Sequence, residues 1–253
     1  MKRQELVDYL ADLLHVQQFK DYCVNGLQVE GREEINRIIT GVSVSRRLFG
    51  EAIERNADAV IVHHGLFWKG DADPFHLTGL RAARVRDLIV NDINLFGYHA
   101  PLDIHPILGN NTQIAQKLGM EVVDRVDIED WQDAGYICEL PQPVDRNKFI
   151  QSVNQQLETE SLLFPFGSEE VHRVFVCSGG CSVYYYIAVE NNCDTFLGGD
   201  IKENVVRWAE EAGLNFIAGG HYNTEKWGII ALGDHLRDKL KLDVTWVDIP
   251  NPV

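Results

Sequence analysis

The sequence predicts an α/β fold built as two α/β domains, with mainly parallel strands and helical cover. Three observations predict it. Short, β-branched apolar runs such as Ala59-Val60-Ile61-Val62 are of the kind found in strands covered on both faces. Helical stretches separate these runs along most of the chain, the order expected of a parallel sheet. Glycines close run after run: Gly65, Gly97, and the pairs Gly179-Gly180, Gly198-Gly199 and Gly219-Gly220. Glycine lets the backbone turn sharply and lets other groups approach closely.

Taken in order, Leu6, Leu10, Leu13 and Leu14 are spaced for one face of a helix. A polar stretch around Asn25-Gly26 precedes a strand over 37–44 and a helix from Arg46 to Asn56. The strand 59–62, a helix from about Leu80 to Val90 and the strand 93–96 come next. Pro101 and Pro106 then read as forbidding helix and stiffening a loop. A short helix from Asn111 to Leu118 ends at Gly119, with Asn110 or Asn111 placed to cap it. The acidic segment Asp127 to Asp133, with Pro141 and Pro143 beyond a possible strand, marks a change of unit. The expected division is therefore residues 1–128 and 129–253, with the chain free to cross between the two. The alternation resumes with a helix over 145–157, a strand over 173–177 and a helix over 182–190. Then come a strand over 194–197, a helix over 203–211, a strand over 215–218, a helix over 224–240 and a strand over 243–247.

Composition sets limits on function. With 23 Lys+Arg against 38 Asp+Glu in 253 residues, the formal net charge is −15, which opposes attraction to DNA, RNA or anionic lipid. No apolar run approaches the ~18 residues of a membrane span. The segment Met1 to Leu14 lacks the basic-then-apolar order of a secretory signal. Five cysteines, Cys23, Cys138, Cys177, Cys181 and Cys193, are an odd number in a long chain and do not suit a disulfide scaffold. A reducing cytoplasm is the expected setting.

Candidate chemistry gathers at strand exits, where ligands collect in open parallel sheets. His63-His64 succeeds the run 59–62 and leads into Gly65. Side chains adjacent in a strand point to opposite faces, yet a bend at the strand end would bring both imidazoles to one cavity, each serving a different metal. Metal binding and ordinary packing both stand open for such a pair. Asp103, between Pro101 and Pro106, offers a hard carboxylate near the next strand exit. His99 suits a hydrogen-bonding role behind the ligands, and His105 is left unassigned. His221 and Glu225 are four apart, so a helix starting there would put both on one face. Together, His63, His64, Asp103, His221 and Glu225 are too few for two closed sites. They fit a dinuclear site in which one carboxylate bridges and water completes the shells. The grouping Cys177, Cys181 and Cys193 is a weaker metal site, because cysteines at the ends of apolar strands behave as small apolar residues. Ser178-Gly179-Gly180 and Gly198-Gly199-Asp200 are poor matches to a P-loop. Trp68 is placed to wall a pocket, meet a neighbouring subunit or pack in the core.

These motifs resemble the GTP cyclohydrolase 1 type 2 homologue family, also called Nif-three-like, in its compact form without an inserted middle domain. The segments that carry the resemblance are residues 25–31, 62–70, 101–105, 109–111, 199–202, 220–225 and 248–252, in the family's order. The resemblance implies a two-domain α/β subunit with a dinuclear metal centre in the cleft between domains, assembled as a homohexameric ring. Carried over by position, the ligands are His63, His64, Asp103, His221 and Glu225, with Glu225 as the bridge. The implied cofactors are two divalent ions per subunit, Fe, Mn, Zn, Ni or Mg. The pattern departs at Gly198 and Asn204, where the family often has Thr and His. This bears on the loop's part in substrate binding and leaves the five metal positions untouched.

The functional expectation is a metal-dependent hydrolase acting on a nucleotide or other phosphate-containing small molecule. His99 would shuttle a proton, and Lys69 or Lys202 would receive phosphate. The alternative is a non-catalytic, ring-forming metalloprotein for metal storage, delivery or partner binding. A ring threaded on DNA is opposed by the −15 charge.

Overall fold

The computed structural model describes residues 1–71 and 76–252. In chain order the elements are α1 (Arg3–Leu13), β1 (Gly26–Val29), β2 (Arg37–Ser43), α2 (Arg46–Glu54), β3 (Ala59–His64), α3 (Gly79–Val90), β4 (Asn94–Gly97) and α4 (Ala100–Ile104). They continue as α5 (Asn110–Lys117), β5 (Glu121–Ile128), β6 (Trp131–Asp145), α6 (Arg146–Leu157), β7 (Leu162–Phe164), β8 (Glu170–Cys177) and α7 (Tyr185–Glu190). The last are β9 (Thr195–Gly198), α8 (Glu203–Ala212), β10 (Asn215–Ala218), α9 (His221–Leu240) and β11 (Asp243–Trp246). They form two compact units, one of residues 1–108 with 229–249, the other of residues 109–228 with 250–253.

The division thus falls at Gly109, not after residue 128. β5 belongs to the second unit because it pairs antiparallel with β6, Glu121 opposite Glu139 and Ile128 opposite Trp131. The chain does cross: the later part of α9 and β11 return to the first unit.

In the first unit the sheet order is β1-β4-β3-β2-β11. β11, β2, β3 and β4 run parallel, and β1 is an antiparallel edge. β3 is buried along Ala59–His63, as its apolar run requires. α2 starts where the Ser45 hydroxyl accepts the Leu48 amide at 3.1 Å, satisfying one of the helix's orphan donors. Its buried residues Leu48, Phe49 and Ala52 pack with Val60, Val62 and Leu95 in the core. At about 1.5–3 kcal/mol for each large apolar side chain, this packing holds the strand exits in place.

In the second unit the order is β5-β6-β8-β9-β10-β7. Here β8, β9 and β10 are parallel, whereas β5/β6, β6/β8 and β10/β7 are antiparallel, so this sheet is mixed. Phe196 lies between Phe175 and Phe216, with ring centroids 4.8 and 4.6 Å away, and all three rings are fully buried. α6 is capped by Asp145, whose carboxylate accepts the amides of Asn147 and Lys148. α8 ends at Gly213 with φ +65°, a left-handed cap that glycine takes without strain.

Two local expectations are corrected. Residues 100–104 are helical, because Pro101 sits in the first turn, where a missing N–H costs nothing. Neither Asn110 nor Asn111 caps α5; Gly109 holds that position, and both asparagines lie buried within the helix. Asn110 Oδ1 accepts the Gly228 amide at 2.7 Å. Asn111 accepts the Ser178 amide at 2.9 Å and donates to the Ala134 carbonyl at 2.9 Å.

Candidate metal centre

In the first unit, the exits of β2, β3 and β4 carry the donors. His64 stands beside Ser43 in the parallel register of β2 and β3, and its Nδ1 shares a 2.9 Å hydrogen bond with the Ser43 hydroxyl. His63, fully buried, donates from Nδ1 to the Tyr98 carbonyl at 3.0 Å. That bond fixes the tautomer with the lone pair on Nε2, the arrangement that prepares an imidazole for a metal. The rings of these adjacent residues lie only 4.6 Å apart between centroids, the proximity that a shared cavity requires.

Asp103 is presented by α4, and its Oδ1 is 3.5 Å from His63 Nε2. That is long for a hydrogen bond. Two donors on one cation, each at about 2.0–2.2 Å and about 90–110° apart, lie roughly 3.0–3.5 Å from each other. His99, the residue before α4, sets its ring 5.1 Å from that of His63 and 5.8 Å from that of His64, tilted to both. Its Nδ1 donates to Asp21 Oδ1 at 2.8 Å. One ring nitrogen each of His63, His64 and His99 falls within a 4.8 Å cluster that can hold a metal ion.

Asp21 anchors this corner. Its carboxylate is buried and accepts from His99, the Ala100 and Cys23 amides and the Asn25 side chain, at 2.8–3.1 Å. Burial pushes its pKa up, but the bonds from His99, Asn25 and Cys23 outweigh it and hold the carboxyl down at about 2. Nothing in the local spacing singles out Asp21; its His99 and Ala100 partners lie far along the chain. His105 is structural: its Nδ1 accepts the Ile107 and Leu108 amides and its Nε2 donates to the Leu13 carbonyl. Trp68 donates from Nε1 to the Gly65 carbonyl and sets its ring 5.2 Å from His99, edge to face.

In the second unit, the three glycine pairs lie side by side after β8, β9 and β10. The amides of Gly199 and Asp200 both donate to the Gly179 carbonyl at 3.1 Å, and those of Gly219 and Gly220 to Gly198 and Gly199. α9 begins at His221, so the four-residue spacing does bring His221 and Glu225 together, Nε2 to Oε2 at 3.1 Å. Gly179, at φ +65°, is required here: a Cβ on it would stand 2.0 Å from Glu225 Oε1. His221 Nδ1 donates to Asp200 Oδ2 at 2.8 Å, again leaving Nε2 for a metal. Burial disfavours charge on His221, but Glu225 and then Asp200 overcome it and raise its pKa to about 10. So much negative charge around one imidazole suits a cation, and a metal ion can take the proton's place.

The donor chemistry in each unit therefore fits divalent ions: imidazoles with their tautomers set and carboxylates at ligand spacing. The cysteines do not. Burial pushes the thiols of Cys23, Cys138 and Cys193 up to about 11, 12 and 12, away from the thiolate a metal needs. No cysteine joins a candidate metal cluster among the described residues.

Fold and donors together define an α/β protein with histidine–carboxylate clusters at its strand exits. Residues 1–252 match the family described as Duf34/NIF3 (NGG1p interacting factor 3). The chain belongs to this family. It is 40% identical to a protein of Haemophilus influenzae and 39% identical to one of Pseudomonas aeruginosa, both named GTP cyclohydrolase 1 type 2 homolog. These alignments cover 100% of both chains in the first case, and 98% of this chain and 97% of the relative in the second. Among solved structures, the protein ybgI, described as of unknown function, superposes with a TM-score of 0.95 at 40% identity over 100% of both chains. A protein of Thermus thermophilus gives 0.88 at 32% identity, also over 100% of both chains. No helix among the described residues is long and apolar enough to cross a membrane.

Proposed function

We propose that this chain is a metal-dependent hydrolase acting on a nucleotide or other phosphate-containing small molecule. In this reading His63, His64, Asp103, His221 and Glu225 would hold two divalent cations, with Glu225 the carboxylate that the family resemblance implies is shared. The observation that carries this reading is the tautomer control. The Tyr98 carbonyl sets His63, the Asp200 carboxylate sets His221 and the Ser43 hydroxyl holds His64, so that each can turn Nε2 to a metal.

Bound as a pair, the cations supply Lewis acidity and a nucleophile at neutral pH. The chain's own residues do the rest. His99, held at Nδ1 by Asp21, moves a proton through Nε2. Trp68 shields that ring from water on one side. The names of the relatives support a nucleotide as the phosphate-containing substrate. The family resemblance supports a homohexameric ring, which sedimentation of the purified protein checks. Free cysteines support a reducing cytoplasm as its setting.

The test is the purified protein, loaded with Mn, Fe or Zn, against a panel of nucleotides and phosphodiesters. Turnover that vanishes in His64→Ala and Glu225→Ala is expected. Metal retained without turnover on any substrate would instead favour a storage or delivery protein.

A further inference from the structure

In the second unit the crossovers β8–α7–β9 and β9–α8–β10 join parallel neighbours, and α7 packs beside α8. Both helices run back from the strand exits, so their C-terminal ends lie at the end of the sheet away from the glycine pairs. Between the helices is an open groove of about 370 Å³ that contains none of the metal donors. Aromatic rings form part of it. Tyr185 stacks on Trp208 with centroids 5.3 Å apart and planes 27° from parallel, and Tyr186 stands edge-on to Tyr185 at 6.2 Å. Trp208 nevertheless keeps 39% of its surface exposed, Val189 41% and Tyr186 45%. Apolar surface gathered in one place and rimmed by polar groups marks a site of interaction.

The rim is acidic, and nothing in the groove offsets it. Glu190 closes α7 and Glu211 lies in the last turn of α8, while no lysine or arginine lines the groove among the described residues. Neither carboxylate has an ion-pair partner there, whereas the neighbouring Glu210 is held by Arg207 at 3.0 Å. Neither helix carries a base in its last turn, although the carbonyl end of a helix favours a cation. Electron-rich ring faces attract cations as well. Among side-chain cations, the planar guanidinium both stacks on an aromatic ring and directs forked N–H donors to carboxylates, which an ammonium cannot match. We infer that this groove docks a partner polypeptide through an arginine side chain. Its guanidinium lies on Trp208 and donates to Glu190 and Glu211, and a neighbouring apolar side chain covers Tyr186 and Val189. The groove is too open for a guanidinium ion alone to gain much, and the flanking apolar surface is what a polypeptide can cover. The net charge of −15 draws a basic partner toward it. The inference goes beyond the proposed hydrolase reading and does not depend on it.

Titration of the full-length, isotope-labelled protein with a blocked tripeptide, arginine between two leucines, tests it. The readout is the indole N–H resonance of Trp208, assigned with Trp208→Phe. A second peptide carries citrulline in place of the arginine, keeping the shape and removing the charge. The arginine peptide should shift the resonance saturably, and the citrulline peptide should bind at least about ten-fold more weakly. Glu190→Gln combined with Glu211→Gln, both on exposed side chains, should weaken the arginine peptide by about ten-fold and make the two peptides alike. Metal content should stay at the wild-type value throughout, so the result is separate from the fate of the metal reading. No saturable shift up to about 10 mM peptide, equal binding of the two peptides, or unchanged binding by the double variant would overturn the inference. A resonance that moves with protein concentration alone, and not with peptide, would assign the groove to a second copy of this chain and overturn it as well.

Discussion

His63 Nδ1 donates to the Tyr98 carbonyl at 3.0 Å, and that bond decides which edge of the ring faces Asp103, 3.5 Å from Nε2. The acceptor is backbone, at the exit of β4, so no side-chain substitution at Tyr98 removes it. The histidine is oriented by the sheet itself, through the pairing of β3 and β4.

Asp21 plays the corresponding part for His99, and it can be mutated. Asp21→Asn places an amide N–H₂ among groups that already donate, loosening His99 and the start of α4. Metal affinity should fall about 10–100-fold, read by competition with a chelator. The pH dependence has a definite sign. The folded carboxyl sits at about 2 against an ordinary 3.8, so its stabilisation, of about 2 kcal/mol, is complete above 3.8 and disappears as pH falls toward 2. The difference in unfolding free energy between wild type and Asp21→Asn should therefore shrink across that window. A difference independent of pH would mean that the carboxylate is not held as described.

Gly179→Ala places a methyl group 2.0 Å from Glu225 Oε1 at a residue with φ +65°. The backbone strain alone costs about 1–2 kcal/mol, and the carboxylate must move. Lower thermal stability and reduced metal content should appear together. Wild-type metal content in this variant would mean that Glu225 is not a ligand.

Asn111→Ala leaves the Ser178 amide and the Ala134 carbonyl, both in buried surroundings, without their partner. At about 1–3 kcal/mol for each of the two unsatisfied groups, a destabilisation of roughly 2–6 kcal/mol is expected in urea unfolding. A change below about 0.5 kcal/mol would show that water replaces the side chain.

Much of this was legible in the residues. β3, β10 and α8 could be read because their apolar spacing is strong and their ends are marked by glycine or charge. The spacing of His221 and Glu225 becomes geometry because α9 starts at His221. β1 was not legible. It is a short antiparallel edge in which only Val29 is buried, and Gln28 ties it to the β3 exit by accepting the Leu66 amide. α4 was hidden by proline, which breaks helices in their interior but fits their first turn. Asp21 was invisible for a different reason: its role comes from folding, which brings His99 and Ala100 to it. The same holds for Asp200, whose service to His221 depends on β9 and β10 lying side by side.

The most direct measurement is elemental analysis of the protein purified without chelator, run beside His64→Ala and Glu225→Ala. About two divalent ions per chain are expected in the wild type, falling to one or fewer in each variant. A wild type without metal, or variants that keep the full complement, would show that these imidazoles and carboxylates do not hold a pair of ions.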